Sequence, residues 1–189
     1  MDSHLQRLHN AITSATCGLT VEQLERHPEG KWSTCEILEH MHLTYTGTVK
    51  GMQLCLDAGK PRARARTLAE FFKVLLVVEA GYFPEGRSAP ERTRPLGMPA
   101  KDVCEQVAGS IAEMDNVIAE CERRFGARTL VLDHPILGPL TCAQWRKFHW
   151  VHGRHHVKQI LRLREGGQSG YAGFSTSRDG AKSRHPRSA

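Results

Sequence analysis

The stretch FHWVHGRHHVKQI, residues 148–160, places four histidines within eight positions: His149, His152, His155 and His156. A metal site, a proton relay, a basic surface and an accident of composition would each produce such a cluster. Helical geometry narrows the choice. At about 100° per residue, Trp145, His149, His152, His156, Ile160 and Leu163 fall within an arc of about 80°. Lys147, Arg154, Lys158 and Arg162 take the opposite side, and His155 lies at the edge. The basic residues form the solvated face of a helix, and three histidines share its core face. A buried imidazole without a partner loses about 1–3 kcal/mol, and helix backbone is already paired. A metal ion satisfies several imidazoles at once, and His152 and His156, at i and i+4, can converge on one ion. The pair by itself leaves buried hydrogen-bonded histidines and exposed histidines open as readings.

Outward from this helix, Thr141 is expected to cap its start, and the helix to end near Glu165. The preceding TLVLDHPILGPL, residues 129–140, reads as a short extended or loop segment. Val103, Val107, Ile111, Met114, Ile118 and Cys121 form one face of a long helix over about 100–124, with Gly126 as its C-terminal cap. A first helix is expected over 3–16, and TVEQ at 20–23 reads as a capping box for one short turn. Ser33 and Glu36 form a second capping box, so another helix begins at Ser33 and ends at Gly59 and Pro61. KPRARAR at 60–66 is a basic loop, residues 68–83 are helical by pattern, and the proline-rich 84–99 is irregular. Four long helices with one long connection describe an all-α chain, a four-helix bundle with a crossover between its second and third helices. Residues 1–165 form that domain, and the Gly-, Ser- and Arg-rich 166–189 is expected to be a disordered basic tail.

Half of the net charge of +6 lies in that tail, so the remainder is barely basic. Neither the tail nor KPRARAR interleaves aromatic residues, which argues against nucleic acid as the partner. The longest apolar run, VLLVV at 74–78, is far short of the ~18 residues that a membrane span needs. With no signal-peptide pattern at the N-terminus, a cytoplasmic protein is expected. Six cysteines without a C-x-x-C pair fit reduced, mostly buried thiols.

The helix from Ser33 supplies a further histidine. His40 shares a face with Leu43, Thr44, Gly47, Gly51, Leu54 and Ala58, whereas His42 points nearly the opposite way and is expected at the surface. Gly47 and Gly51 each cost about 1 kcal/mol inside a helix relative to alanine. They serve either close helix packing or room for a ligand beside His40. Glu36, one turn before His40, is read as the helix cap.

GKWSTCEILEH at 30–40 and HPILGPLTCAQWRKFHWVHGRHHVKQI at 134–160 resemble the DinB/YfiT-like superfamily of metalloenzymes, and more closely an uncharacterised domain family within it. The resemblance covers residues 3–165. It rests on Trp32 followed by His40, and on His152 and His156 followed by Gln159. It implies a four-helix bundle with a long crossover, and a divalent metal, zinc or nickel, on His40, His152 and His156. His149 matches a position often occupied by histidine but is not one of the three ligands, and His155 lies outside the motif. The resemblance further implies a metal-dependent transferase that activates a low-molecular-weight thiol. Three protein ligands would leave a coordination position open, as catalytic metals require. Metal-dependent hydrolysis and a non-enzymatic stress-response module are the alternatives. Glu79 and Glu85 are acid–base candidates by location alone. A small-molecule substrate is expected, and a homodimer stays open.

Overall fold

Side-chain caps set where the helices begin. The computed structural model describes residues 1–83 and 88–169, with side chains to Gly166. Helix α1, Ser3–Thr16, starts at Asp2, whose carboxylate accepts from the His4 amide. Reciprocal capping boxes open α2, Val21–Glu25 (Thr20 with Gln23), and α3, Thr34–Asp57 (Ser33 with Glu36). A third, Thr67 with Glu70, opens α4, Leu68–Val74. Helix α5, Ala100–Phe125, ends at Gly126, whose φ of 94° a side chain would resist. Thr141 and Gln144 exchange the same pair of hydrogen bonds at the start of α6, Cys142–Ser169. The described chain is 67% helix, in six helices, with one small two-stranded sheet.

The apolar faces expected of α1, α5 and α6 are the buried ones, from Leu5 and Leu8 through Ile111 and Met114 to Ile160. Helix α3 packs mainly on α5 and α1 mainly on α6, and α5–α6 and α3–α6 contacts join the two pairs. The segment at 129–140 is a hairpin: β1, Leu130–His134, runs antiparallel to β2, Gly138–Thr141. It is fastened to α6 through Trp145, whose Nε1 donates to Leu132 O at 3.3 Å. The basic loop is built into this hairpin. The Arg62 and Ala63 amides donate to Val131 O, Arg64 pairs with Glu70 and Asp133, and Arg66 reaches Pro139 O and Gln144.

Three expectations change in detail. Helix α4 passes into a π-helical turn, Leu75–Glu79, and ends there, short of residue 83. Helix α6 continues to Ser169, so the first residues of the segment expected to be disordered are helical. The remainder of that tail, 170–189, lies outside the described residues. His42, expected at the surface, is only partly exposed. It is half-buried, with Nδ1 3.3 Å from Gln106 O of α5, because α3 packs on more than the side that carries His40.

The α1–α6 crossing depends on Gly153, where an added Cβ would overlap Leu8 Cδ1, and Leu8 is fully buried. Gly153→Ala should destabilise the chain by about 1–3 kcal/mol in urea unfolding, the usual effect of overpacking. Gly47→Ala meets nothing within 4 Å and should stabilise α3 by up to about 1 kcal/mol. Equal effects at both positions would show that the α1–α6 crossing is not tight.

Candidate metal centre

His40 leaves the second turn of α3, and His152 and His156 leave adjacent turns of α6. Where α3 and α6 meet, all three side chains are buried and their ring nitrogens converge. His152 Nε2 lies 3.3 Å from His40 Nε2 and 3.0 Å from His156 Nε2. These three side chains can hold a metal ion.

The far side of each ring fixes which nitrogen faces inward. His40 Nδ1 lies 2.7 Å from Thr93 O, and His156 Nδ1 lies 2.8 Å from Gln159 Oε1. A carbonyl oxygen only accepts, so both Nδ1 atoms carry the proton and both Nε2 atoms present a lone pair. His152 Nε2 can donate to only one of them, and its Nδ1 is buried without a partner among the described residues. The neutral cluster is therefore left with facing lone pairs. A cation between them removes the conflict. Two nitrogens on a tetrahedral ion stand about 3.3 Å apart, given bonds of about 2.0–2.1 Å. The donor set fits an imidazole-bound divalent ion, and Thr93 O and Gln159 are the outer partners that such ligands require.

Burial also keeps the three rings neutral. It lowers His40 below the ordinary histidine range, against the opposing pull of Thr93 O. It pushes His156 down to about 3, aided by His40, and sets His152 well below 6.5, aided by His156 and His40.

The approach of Thr93 is arranged by a residue that periodicity did not single out. Glu39 is buried, and its carboxylate accepts from the amides of Leu96, Gly97 and Met98 at 2.8–3.0 Å. Burial pushes this carboxyl up, but the three amides outweigh it and leave it below the usual range. The signal was a charged residue on the buried side of α3, next to His40.

The centre opens into a cavity of about 1200 Å³ between α3, α6, the hairpin and the connection. Trp32, Phe83 and Phe148 are part of its wall; Phe148 stacks against His152 at 5.6 Å between ring centroids, and Phe83 meets it tilted at 5.3 Å. The two glycines of α3 divide between the roles weighed for them. Gly51 gives the hairpin room, since a Cβ there would sit 2.6 Å from Leu132, whereas Gly47 faces open space in the cavity wall.

The other candidates fall outside the centre. His149 is fully buried, with Nε2 3.1 Å from Thr48 Oγ1. That hydroxyl donates to Thr44 O, so it accepts from His149 and fixes the ring inside the core. His155 lies beside Phe83 and accompanies Gln159 at 3.2 Å. Glu36 caps α3, as expected. Glu79 pairs with Lys147 and is not part of the described cavity wall, and Glu85 lies outside the described residues. Sequence reasoning missed His134, at the end of β1, which lines the cavity.

Alanine at His40, His152 or His156 should each remove most of the bound metal from untagged protein, read by elemental analysis. Gln159→Ala should weaken metal binding by about ten- to a hundredfold. His42→Ala should leave metal unchanged. His149→Ala should keep metal while lowering stability by about 2–5 kcal/mol, as for a large buried ring. Metal loss at His149 but not at His156 would refute the assignment.

The pH dependence follows from the same burial. In the unfolded chain these histidines protonate near 6.5; in the folded chain burial lowers all three, His152 well below that value and His156 to about 3. The unfolded state therefore binds more protons below 6.5, and stability falls as pH falls from there. Folded protein should keep its metal through pH 6.5, and metal release should coincide with loss of helix at lower pH. Metal release centred at 6.5 with the circular dichroism intact would show the ligands to be solvated.

No helix among the described residues is long and apolar enough to cross a membrane. A family model described as a protein of unknown function, DUF1569, matches residues 1–162, a span that includes all three converging histidines. No curated protein and no solved structure matches the chain. The match covers most of the sequence, and the chain belongs to the DUF1569 family.

Proposed function

We propose that this protein is a DinB-like metal-dependent enzyme, a transferase that uses a low-molecular-weight thiol. In this reading α1, α3, α5 and α6 are a four-helix bundle, and residues 58–99 are the crossover between its second and third members. His40, His152 and His156 hold a divalent ion, zinc or nickel, both of which suit imidazole. The observation that carries the reading is the set of three inward nitrogens, two of them oriented by carbonyl oxygens, opening into a large cavity. When bound, such an ion with an open position supplies Lewis acidity and lowers the pKa of a coordinated thiol or water.

The described cavity wall offers no free carboxylate to assist hydrolysis. Hydrolysis calls for a positioned base. Asp133 is the one carboxylate in the described cavity wall, and it pairs with Arg64 at 3.6 Å. No cysteine lines the described cavity, so the thiol arrives as a substrate. Trp32, Phe83 and Phe148 exclude water from the nitrogens and supply an apolar bed. Gly47 keeps the α3 side of the cavity open.

Untagged protein loaded with zinc or with nickel should conjugate glutathione, cysteine or coenzyme A to monochlorobimane. The rate should exceed that of His156→Ala by about a hundredfold or more. Ester hydrolysis without thiol transfer would replace this reading with the hydrolase. Stoichiometric metal with neither activity would leave a non-enzymatic metal-binding module.

A further inference from the structure

His134 is the cavity histidine that the three-nitrogen centre leaves out. It ends β1, and the hairpin turn folds back so that its Nδ1 accepts from the Ile136 and Leu137 amides, both at 3.2 Å. A nitrogen that accepts amide protons carries a lone pair, so the proton of the neutral ring sits on Nε2. Nε2 makes no hydrogen bond among the described residues, yet it is not one of the sealed, unpartnered polar atoms, and the ring lines the cavity. Phe148 stands between His134 and the centre, with ring centroids 4.4 Å from His134 and 5.6 Å from His152. A fixed N–H donor thus meets the cavity one aromatic ring away from the converging nitrogens.

The same cavity has an excess of positive charge. Lys31, Lys50, Lys73 and Arg92 line it, and none forms an ion pair among the described residues. Its described wall has one carboxylate, Asp133, which Arg64 neutralises from outside that wall. Arg92 and His134 line the same cavity wall. Burial first, and Arg92 second, hold that imidazole down to about 4, so it is a neutral donor at neutral pH.

We propose that His134 is a substrate-binding residue, and that its Nε2–H, together with Arg92, receives the carboxylate of an amphiphilic organic acid whose apolar body lies against Phe148. The inference rests on the reading of the cavity as a substrate site and names the chemical class that it takes. A neutral donor with a cation nearby holds a carboxylate by charge-assisted hydrogen bonding without placing a second charge on the ring. The apolar wall accounts for the body of the molecule.

The test titrates full-length protein with decanoate and with decanol, following the fluorescence of Trp32 and Trp145, both in the cavity wall. Decanoate should bind about tenfold or more tightly than decanol. His134→Asn keeps an acceptor for the two turn amides and removes the distal N–H donor. It should weaken decanoate by about ten- to a hundredfold while leaving decanol binding and metal content unchanged. Arg92→Gln should act in the same direction. Equal affinity for the two ligands, binding of neither, or a parallel loss of both in His134→Asn would overturn the proposal. His40→Ala separates it from the metal reading. If that variant loses metal but keeps the preference for decanoate, His134 and Arg92 carry it. If the preference disappears with the metal, the carboxylate sits at the metal and the assignment to His134 fails. If wild-type protein proves metal-free and still prefers decanoate, the metal-dependent reading fails and the acid-binding one stands.

Discussion

Glu39 turns its carboxylate into three consecutive backbone amides, those of Leu96, Gly97 and Met98. Consecutive residues on a helix point about 100° apart. Glu39 can therefore grip the connection from α4 to α5 while His40 faces the cavity. The grip brings the 3₁₀ turn at Glu91–Thr93 down onto α3, and Thr93 O then selects the tautomer of His40. A buried carboxylate that lost these amides would carry uncompensated charge. The same contact closes the fold over the centre and defines its chemistry.

The centre itself carries an unresolved electrostatic demand. Three imidazoles are packed into an apolar interior that holds them neutral, and two of them are oriented with bare nitrogens inward. His149 shows how the same helix treats a histidine meant for packing. Its Nε2 donates to a threonine, and its ring stacks on Trp145 with 27° between the planes. Burial is common to both environments, and each of His149 and His152 leaves Nδ1 without a partner among the described residues; the difference is that His149 Nε2 meets a hydroxyl, whereas the Nε2 atoms of the centre meet one another. The wide cavity beside the centre is lined by Lys31, Lys50, Lys73 and Arg92, against one carboxylate in its described wall, Asp133.

Much of this was legible in local pattern. The stripe on α6 correctly grouped His149, His152 and His156 with the apolar face, and Thr141 and Ser33 correctly opened their helices. That stripe alone did not distinguish His149 from the other two. The contact of His42 with Gln106 O was not foreseen because α3 is buried on more than one side, and a single-helix projection does not show which neighbours lie beside it. Glu39 and His134 were missed because each acts through backbone amides that come close only after the chain turns or crosses over.

Sequence by itself determined the helices, their caps and the faces they bury, because capping boxes and apolar periodicity act over a few residues. It also placed the histidines of α3 and α6 on faces from which they can meet. Only the tertiary structure decided that they do meet, that His149 Nε2 turns instead to Thr48, that Gly51 serves packing and Gly47 space, and that His134 joins the cavity wall. Those outcomes depend on distances between segments far apart in the chain, such as His40 with Thr93 and with His152, and Glu39 with Gly97. No local spacing encodes them, because hydrogen bonds and metal geometry discriminate over tenths of an ångström that only the packed helices and the anchored connection can fix.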